Sequence, residues 1–183
     1  MKKAKDYIRP GILVVFLIFL DQITKILASL YLKGIDAFPI IKNVFELRYL
    51  ENTSAAFSLD PITLIHRIFL IKAFENPQTF LRAKMVFFVV LTIAVLVFLF
   101  FLYRKLPSGK KFIWMNLTIE FFFAGAIGNC IDRIWHNYVI DFFYFRLINF
   151  PIFNVADIYV TCAAISFVLL LLFYYKEADF KEV

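Results

Sequence analysis

Residues 124–160 read AGAIGNCIDRIWHNYVIDFFYFRLINFPIFNVADIYV and place polar groups among apolar and aromatic residues. Asp132, Asp141 and Asp157 lie here among apolar or aromatic neighbours. An ionisable group at a membrane boundary is costly to desolvate and by default marks a functional site. Asn129 and Asn154 stand three residues before Asp132 and Asp157. We therefore expect the functional residues to be concentrated in this stretch.

The composition indicates a membrane protein. The 183 residues are 62% hydrophobic and 20% aromatic, which leaves too little polar surface to cover a water-soluble globule. Four apolar runs have the roughly 18–25 residues that a helix needs to cross about 30 Å of hydrocarbon. They cover residues 11–32, 85–103, 112–131 and 152–175. The sequence predicts a single integral membrane domain over 1–183, all-α, with four transmembrane helices.

Half of the 20 basic residues lie at the ends of these spans, in clusters at 2–9, 104–111 and 176–181, and several others lie on the opposite side. With four spans all three clusters fall on one side, which the positive-inside rule makes cytoplasmic. Both termini are then expected in the cytoplasm. The net charge of +6 therefore reflects membrane orientation, and we expect no nucleic-acid partner.

Between the first two spans the pattern changes twice. In segment 33–58, Phe45 and Leu47 alternate with Glu46 and Arg48, a period of two that predicts β-structure outside the membrane. This segment could be a platform beside the membrane or a hairpin that touches no substrate. The insert at 59–82 is apolar but broken by charges. We expect it to form an interfacial helix that opens at Pro61 and stops at Pro77.

Polar and small residues also occur within the spans. Asp21 and Lys25 are four residues apart in the first span, so they share a helix face and can pair. Glu120 lies near the middle of the third span, where we have no functional account of it. Gly125 and Gly128 remove bulk where another helix, or a substrate helix, must approach closely.

The three aspartates suggest acid–base chemistry. Two carboxylates held close in a low-dielectric site share one proton, so one acts as a base and its partner as an acid. Such a pair can add water to an amide carbonyl and protonate the leaving nitrogen. Nearby asparagine amides can hold the acids or the oxyanion, and Arg133 can neutralise charge or bind a carbonyl. Spacing alone does not decide which two of the three acids pair.

Two other functional classes remain open on these residues. A transporter or proton pathway could use the same acids, although it would spread them along several spans. A membrane scaffold could use the polar cluster for packing alone. A zinc protease is disfavoured because the chain has no HExxH motif, and we expect neither a metal nor an organic cofactor.

Five sequence blocks in this order resemble lipoprotein signal peptidase (signal peptidase II), a family of bacterial aspartic peptidases. The blocks are DQITK at 21–25, ENTSAAF at 51–57, GAIGNCIDR at 125–133, VIDFF at 139–143 and FNVAD at 153–157. The resemblance covers nearly the whole chain, although Ser54 stands where the family usually has glycine and the insert is longer than expected.

The resemblance implies that Asp141 and Asp157 are the catalytic pair and that segment 33–58 is the family's extracytoplasmic β-cradle. The implied supporting or substrate-binding residues are Asn52, Asn129, Asp132, Arg133, Asn154, Asp21 and Lys25. The family cleaves lipid-modified prolipoproteins before the lipidated cysteine, in the bacterial cytoplasmic (inner) membrane and near its extracytoplasmic face. We accordingly expect prolipoprotein and membrane lipid as partners, and a functional monomer.

Overall fold

The computed structural model describes residues 4–54, 63–65, 74–107 and 109–180. It is mostly helical with one small sheet. The helices are α1 (Ile8–Tyr31), α2 (Pro77–Lys105), α3 (Ile113–His136) and α4 (Val155–Leu169), and the strands are β1 (Phe38–Ile41), β2 (Phe45–Asn52) and β3 (Val139–Tyr144). Helix α4 continues as a π-helical segment, Leu170–Tyr174.

Within the described residues, three helices are long and apolar enough to cross a membrane: α1, α2, and α4 with its continuation, Val155–Tyr174. The first, second and fourth predicted spans therefore correspond to candidate membrane helices. The third corresponds to α3, and its crossing of the membrane stays a prediction.

Helix α2 begins eight residues before the predicted span, at Pro77 rather than at residue 85. Pro77 is the first residue of this helix, a position where its missing N–H costs nothing. Asn76 caps this start: its Oδ1 accepts hydrogen bonds from Gln78 N (2.9 Å) and Thr79 N (3.2 Å). The expected interfacial helix, with its predicted stop at Pro77, falls largely on residues 61–62 and 66–73, outside those described.

Helix α3 runs five residues beyond the predicted end at 131 and stops at His136. Asn137 follows in the left-handed conformation (φ 63°), and its N–H bonds the carbonyl of Arg133 at 3.2 Å, a helix ending that asparagine tolerates well. Asp132 therefore lies inside the last turns of α3, whereas the sequence analysis placed it at a span end.

The three strands form one antiparallel sheet in the order β1-β2-β3. The alternation at 45–52 correctly predicted β2, but β3 was not predicted. Its VIDFFY sequence is rich in β-branched and aromatic residues, and pairing with β2 sets Leu50 opposite Asp141.

The fourth helix begins at Val155 rather than 152 because the preceding backbone belongs to the sheet. Phe143 N bonds Phe153 O at 2.8 Å, and Phe153 N bonds Phe143 O at 3.0 Å. This extra bridge fixes the chain just before Asn154, where helix α4 starts.

The chain divides into two compact units. We call Met1–Gln22, Ala94–Gly128 and Val155–Val183 the first unit, and Ile23–Ile93 and Asn129–Asn154 the second unit. The first unit has an aromatic cluster in which Tyr7 packs against Tyr103 (centroids 6.1 Å apart) and Phe112 stacks on Tyr175 (5.2 Å). The second unit contains the sheet.

Candidate active site

Asp141 is the centre of a buried hydrogen-bond network in the second unit. It lies on β3 and is 1% exposed. Asn52, at the end of β2, donates from Nδ2 to Asp141 Oδ2 at 2.7 Å. Asn154 donates from Nδ2 to Asp141 Oδ1 at 2.6 Å. Both carboxylate oxygens thus receive an amide proton, and hydrogen bonding of this kind stabilises the ionised form.

The direction of the Asn52 bond is fixed by its neighbour Ser54. The backbone N–H of Ser54, which can only donate, bonds Asn52 Oδ1 at 2.8 Å. The amide nitrogen of Asn52 must therefore face Asp141. Ser54 contributes through its backbone, so the serine found where the family usually has glycine still serves this contact.

The direction of the Asn154 bond is fixed by Lys25. An ammonium group only donates, and Lys25 Nζ bonds Asn129 Oδ1 at 2.9 Å. Asn154 Nδ2 donates to the same oxygen at 3.1 Å. Because Asn129 presents oxygen to both, Asn154 must present its NH₂ group, whose second proton is directed at Asp141. Lys25 thereby sets the direction of the Asn154 amide through Asn129.

Asp132 holds the strand that carries Asp141. Its Oδ2 lies 3.0 Å from Lys25 Nζ and accepts the backbone N–H of Ile140 at 3.1 Å. Ile140 immediately precedes Asp141, so this bond ties the start of β3 to α3. The carboxylate of Asp132 is thus engaged by a cation and a backbone amide.

Arg133 lies beside this network. Its guanidinium donates to the backbone oxygen of Asn129 at 3.2 Å and lies 5.2 Å from the ring centroid of Phe88. A cation over an aromatic face is held by the ring quadrupole. These two contacts connect the last turns of α3 to Phe88 of α2.

Two of the expected site residues, Asp21 and Asp157, belong to the first unit. Asp157 is half-buried in the first turn of α4. Asp21 is fully buried on α1, and its Oδ1 accepts the N–H of Ala156 at 2.9 Å. The expected pairing of Asp21 with Lys25 stays a prediction.

Gly125 and Gly128 lie where other helices of this chain pack closely against α3, and residues of those helices fill the space that the missing side chains leave. A Cβ on Gly125 would lie 2.5 Å from Ala156 O and 2.7 Å from Val160 Cγ2. A Cβ on Gly128 would lie 2.5 Å from Asp21 Oδ2. Of the two expectations raised for these glycines, close approach of another helix is the one that their contacts bear out.

The sequence analysis did not single out Gln22 or the cluster around Glu51. Gln22 Nε2 donates to Asp21 Oδ2 and to the backbone oxygen of Gly128, both at 3.1 Å. Glu51 Oε1 accepts from Lys33 Nζ at 2.8 Å, and this bond, with smaller help from Tyr138 and Tyr49, lowers the pKa of Glu51. Their signal was positional: Gln22 follows Asp21, and Glu51 precedes Asn52.

The described residues contain no group of three or more His, Cys, Asp or Glu side chains suited to hold a metal ion. Carboxylates and amides dominate the network around Asp141. Its chemistry is therefore best examined as proton transfer by side chains.

Comparison with known proteins gives one consistent answer. The model of the family described as signal peptidase (SPase) II matches residues 13–173. The lipoprotein signal peptidase of Caldanaerobacter subterraneus subsp. tengcongensis is 37% identical over 163 residues, covering 88% of this chain and 94% of the relative. That of Clostridium tetani is 32% identical over 174 residues, covering 93% and 95%.

A solved structure described as a bacterial membrane enzyme superimposes with a TM-score of 0.71 at 28% identity, and 92% of each chain is covered. A second structure with the same description gives a TM-score of 0.69 at 27% identity, covering 91% of this chain and 94% of the other. The helices and sheet described above thus recur in solved membrane enzymes. Since the family model and the relatives each cover most of the sequence, the chain belongs to the signal peptidase II family of lipoprotein signal peptidases.

Proposed function

We propose that Asp141 and Asp157 are the catalytic pair of this aspartic peptidase, and that it removes signal peptides from diacylglyceryl-modified prolipoproteins by cleaving before the lipidated cysteine. The family membership carries the activity. The observation that supports the assignment of Asp141 is its burial beneath two amide donors with fixed direction. The transporter alternative gains no support from these relatives.

Asp141 is suited to be the base. Two neutral amides donate to its carboxylate oxygens and stabilise the anion, and a carboxylate oxygen can accept more than one hydrogen bond, such as one from water. Asp132 is less suited, because Lys25 and the Ile140 amide already engage its carboxylate. These contacts favour Asp141 over Asp132 as the base, a choice that sequence spacing alone left open.

Asp157 is the proposed partner. It stands in the first turn of α4, and of two carboxylates that share one proton it would be the one that carries the proton. In the proposed reaction Asp141 takes a proton from water, the resulting hydroxide adds to the scissile carbonyl carbon, and protonated Asp157 gives its proton to the carbonyl oxygen. Asp141 then passes its proton to the amide nitrogen as the C–N bond breaks, and the new carboxyl group returns a proton to Asp157.

The proposal includes an arrangement in the membrane. All of 1–183 would form one integral domain with four spans, α3 included, in the bacterial cytoplasmic membrane. Both termini would be cytoplasmic and the active site near the extracytoplasmic face. The basic clusters support this, as does the first unit, where Tyr7 near the N-terminus and Phe180 near the C-terminus pack against one aromatic cluster. The proposed site residues belong to one chain, so a monomer would suffice.

The test is turnover of a purified lipidated prolipoprotein by Asp141→Asn and Asp157→Asn. Each variant should lose nearly all activity while keeping the wild-type melting temperature. Residues that act as one unit are non-additive, so the double variant should be scarcely worse than either single variant. Substantial turnover in either single variant would refute the pair.

A further inference from the structure

Asp21 caps helix α4 from a different helix. Ala156 is the second residue of α4, so its N–H is one of the four at a helix start that have no acceptor within the helix. Asp21 Oδ1, from α1, accepts this N–H at 2.9 Å in a fully buried position. Normally the residue just before the helix supplies such an acceptor from its own side chain.

The residue in that usual capping position is Asn154. Its Nδ2 group donates to Asp141 and to Asn129, so both protons of this amide are directed away from the start of α4 and one of them orients the proposed base. The acceptor for Ala156 comes instead from Asp21. In this way one asparagine serves Asp141, and a carboxylate on another helix serves the start of α4.

The surroundings of Asp21 are shaped to hold its carboxylate. Gln22 Nε2 donates to Oδ2 at 3.1 Å and also to the backbone oxygen of Gly128 at 3.1 Å. Gly128 has no Cβ, and one added there would stand 2.5 Å from the same Oδ2. Any side chain at 128 would therefore push the carboxylate away from its place.

We propose that Asp21 is a positioning residue for Asp157, acting through the backbone of the first turn of α4. Asp157 directly follows Ala156, so the bond that fixes the Ala156 N–H also fixes the backbone from which Asp157 projects. This inference rests on the catalytic role proposed for Asp157. In this proposal Asp21 acts through the Ala156 amide and takes no part in proton transfer.

The first experiment compares Asp21→Ala with Asp21→Asn. Alanine removes the acceptor, whereas asparagine keeps an oxygen for Ala156 and loses only the charge. A misplaced catalytic group costs about 100-fold in rate, so kcat of Asp21→Ala should fall about 30- to 100-fold, with KM for the lipidated substrate changed less than about twofold. Asp21→Asn should recover most of kcat. Equal defects in both variants, or a loss confined to KM, would overturn the proposal.

The second experiment uses the two glycines as a matched pair. Gly128→Ala should lower kcat by displacing Asp21, and adding it to Asp21→Ala should cause little further loss, because the clash is then gone. Gly125→Ala strikes Ala156 O and Val160 instead, so this clash remains when the Asp21 side chain is removed, and its loss should persist in the double variant with Asp21→Ala. Full additivity for Gly128→Ala would contradict the proposal. If Asp21→Ala accumulates poorly, Asp21→Ser, which also lacks the carboxylate that a side chain at 128 would meet, takes its place in the same comparison.

A measurement without catalysis separates this proposal from the proposed function. Amide hydrogen exchange of a peptide covering residues 155–158 should be faster in Asp21→Ala than in wild type, and close to wild type in Asp21→Asn. Unchanged exchange in Asp21→Ala would refute the cap even if activity fell. Faster exchange together with an active Asp157→Asn variant would keep the cap, and would reject both the catalytic role of Asp157 and its positioning by Asp21.

Discussion

Lys25 Nζ lies 3.0 Å from Asp132 Oδ2, and the two side chains are 1% and 2% exposed. The pair joins α1 to α3 within the second unit, and the same ammonium bonds Asn129. The pair therefore affects both the stability of the fold and the position of Asp141. Asp132 accepts the backbone N–H of Ile140, the residue before Asp141, and Asn129 accepts a hydrogen bond from Asn154, which also donates to Asp141.

We predict that Lys25→Met is strongly destabilising. Removing one member of a buried ion pair leaves its partner uncompensated, which costs about 3–5 kcal/mol. Unfolding of the purified protein in detergent measures this.

The control is Lys33→Met, which removes a pair of similar length, Lys33 with Glu51 at 2.8 Å, whose side chains are 58% and 40% exposed. Exposed pairs contribute about 0–1 kcal/mol, so the control should stay near wild type. A Lys25→Met protein as stable as Lys33→Met would contradict the ion-pair argument.

The second prediction concerns Asn52. Its amide lies 2.7 Å from Asp141 Oδ2, so Asn52→Asp puts a second carboxyl group against the proposed base. Two carboxyl groups at this distance do not both ionise readily, so the pKa of one of them rises. The acidic limb of the pH dependence of kcat/KM should therefore move to higher pH.

Asn52→Ala, which removes the donor without adding an acid, is the comparison. It should lower kcat by about 100- to 1000-fold, as loss of one fixed donor does, with a smaller movement of the limb than in Asn52→Asp. An unchanged limb in Asn52→Asp would remove Asp141 from its assigned role.

The third prediction tests orientation. In a variant with Cys130 and Cys162 replaced by alanine, Lys42→Cys, in the exposed turn between β1 and β2, should react with an impermeant thiol reagent added to sealed cells. Ser108→Cys, in the basic link after α2, should react only after the membrane is opened. The reverse pattern would overturn the assignment of both termini to the cytoplasm.

The fourth prediction concerns the lipid on the substrate. A diacylglyceryl group places the scissile bond at a defined depth, and buried acyl chains contribute about 0.8 kcal/mol per CH₂. Remote binding of this kind can align the bond for reaction, so its loss should lower turnover as well as affinity. A prolipoprotein with unmodified cysteine should thus be cut far more slowly at equal occupancy in matched detergent. Equal rates would favour a general intramembrane protease.

Several elements could be predicted because their signal is local. Apolar runs of membrane length gave α1 and most of α2 and α4, and alternation gave β2. Strand β3 was missed because six residues of β-branched and aromatic type acquire meaning only when a partner strand is known. The start of α2 at Pro77 was missed because proline can stand either just after a helix or at its first position, and the cap at Asn76 is seen only in the structure.

For the candidate site, the sequence indicated the residues but not their contacts. The blocks of sequence indicated that Asp21, Lys25, Asn52, Asn129, Asp132, Asp141, Asn154 and Asp157 matter together, since acids and amides are costly in an apolar chain. They did not indicate that Lys25 pairs with Asp132, or that Asp21 bonds Ala156.

The sequence by itself determined that this is a membrane protein, that it is mostly helical, and which residue types are available for catalysis. These properties follow from hydrophobic length, charge placement and composition, which are features of single segments. Only the tertiary structure decided which acid is held by a cation, which amide faces Asp141 and which helix caps α4. Those outcomes depend on hydrogen-bond direction between residues remote in the chain, and a donor finds its acceptor only after the helices and strands have packed.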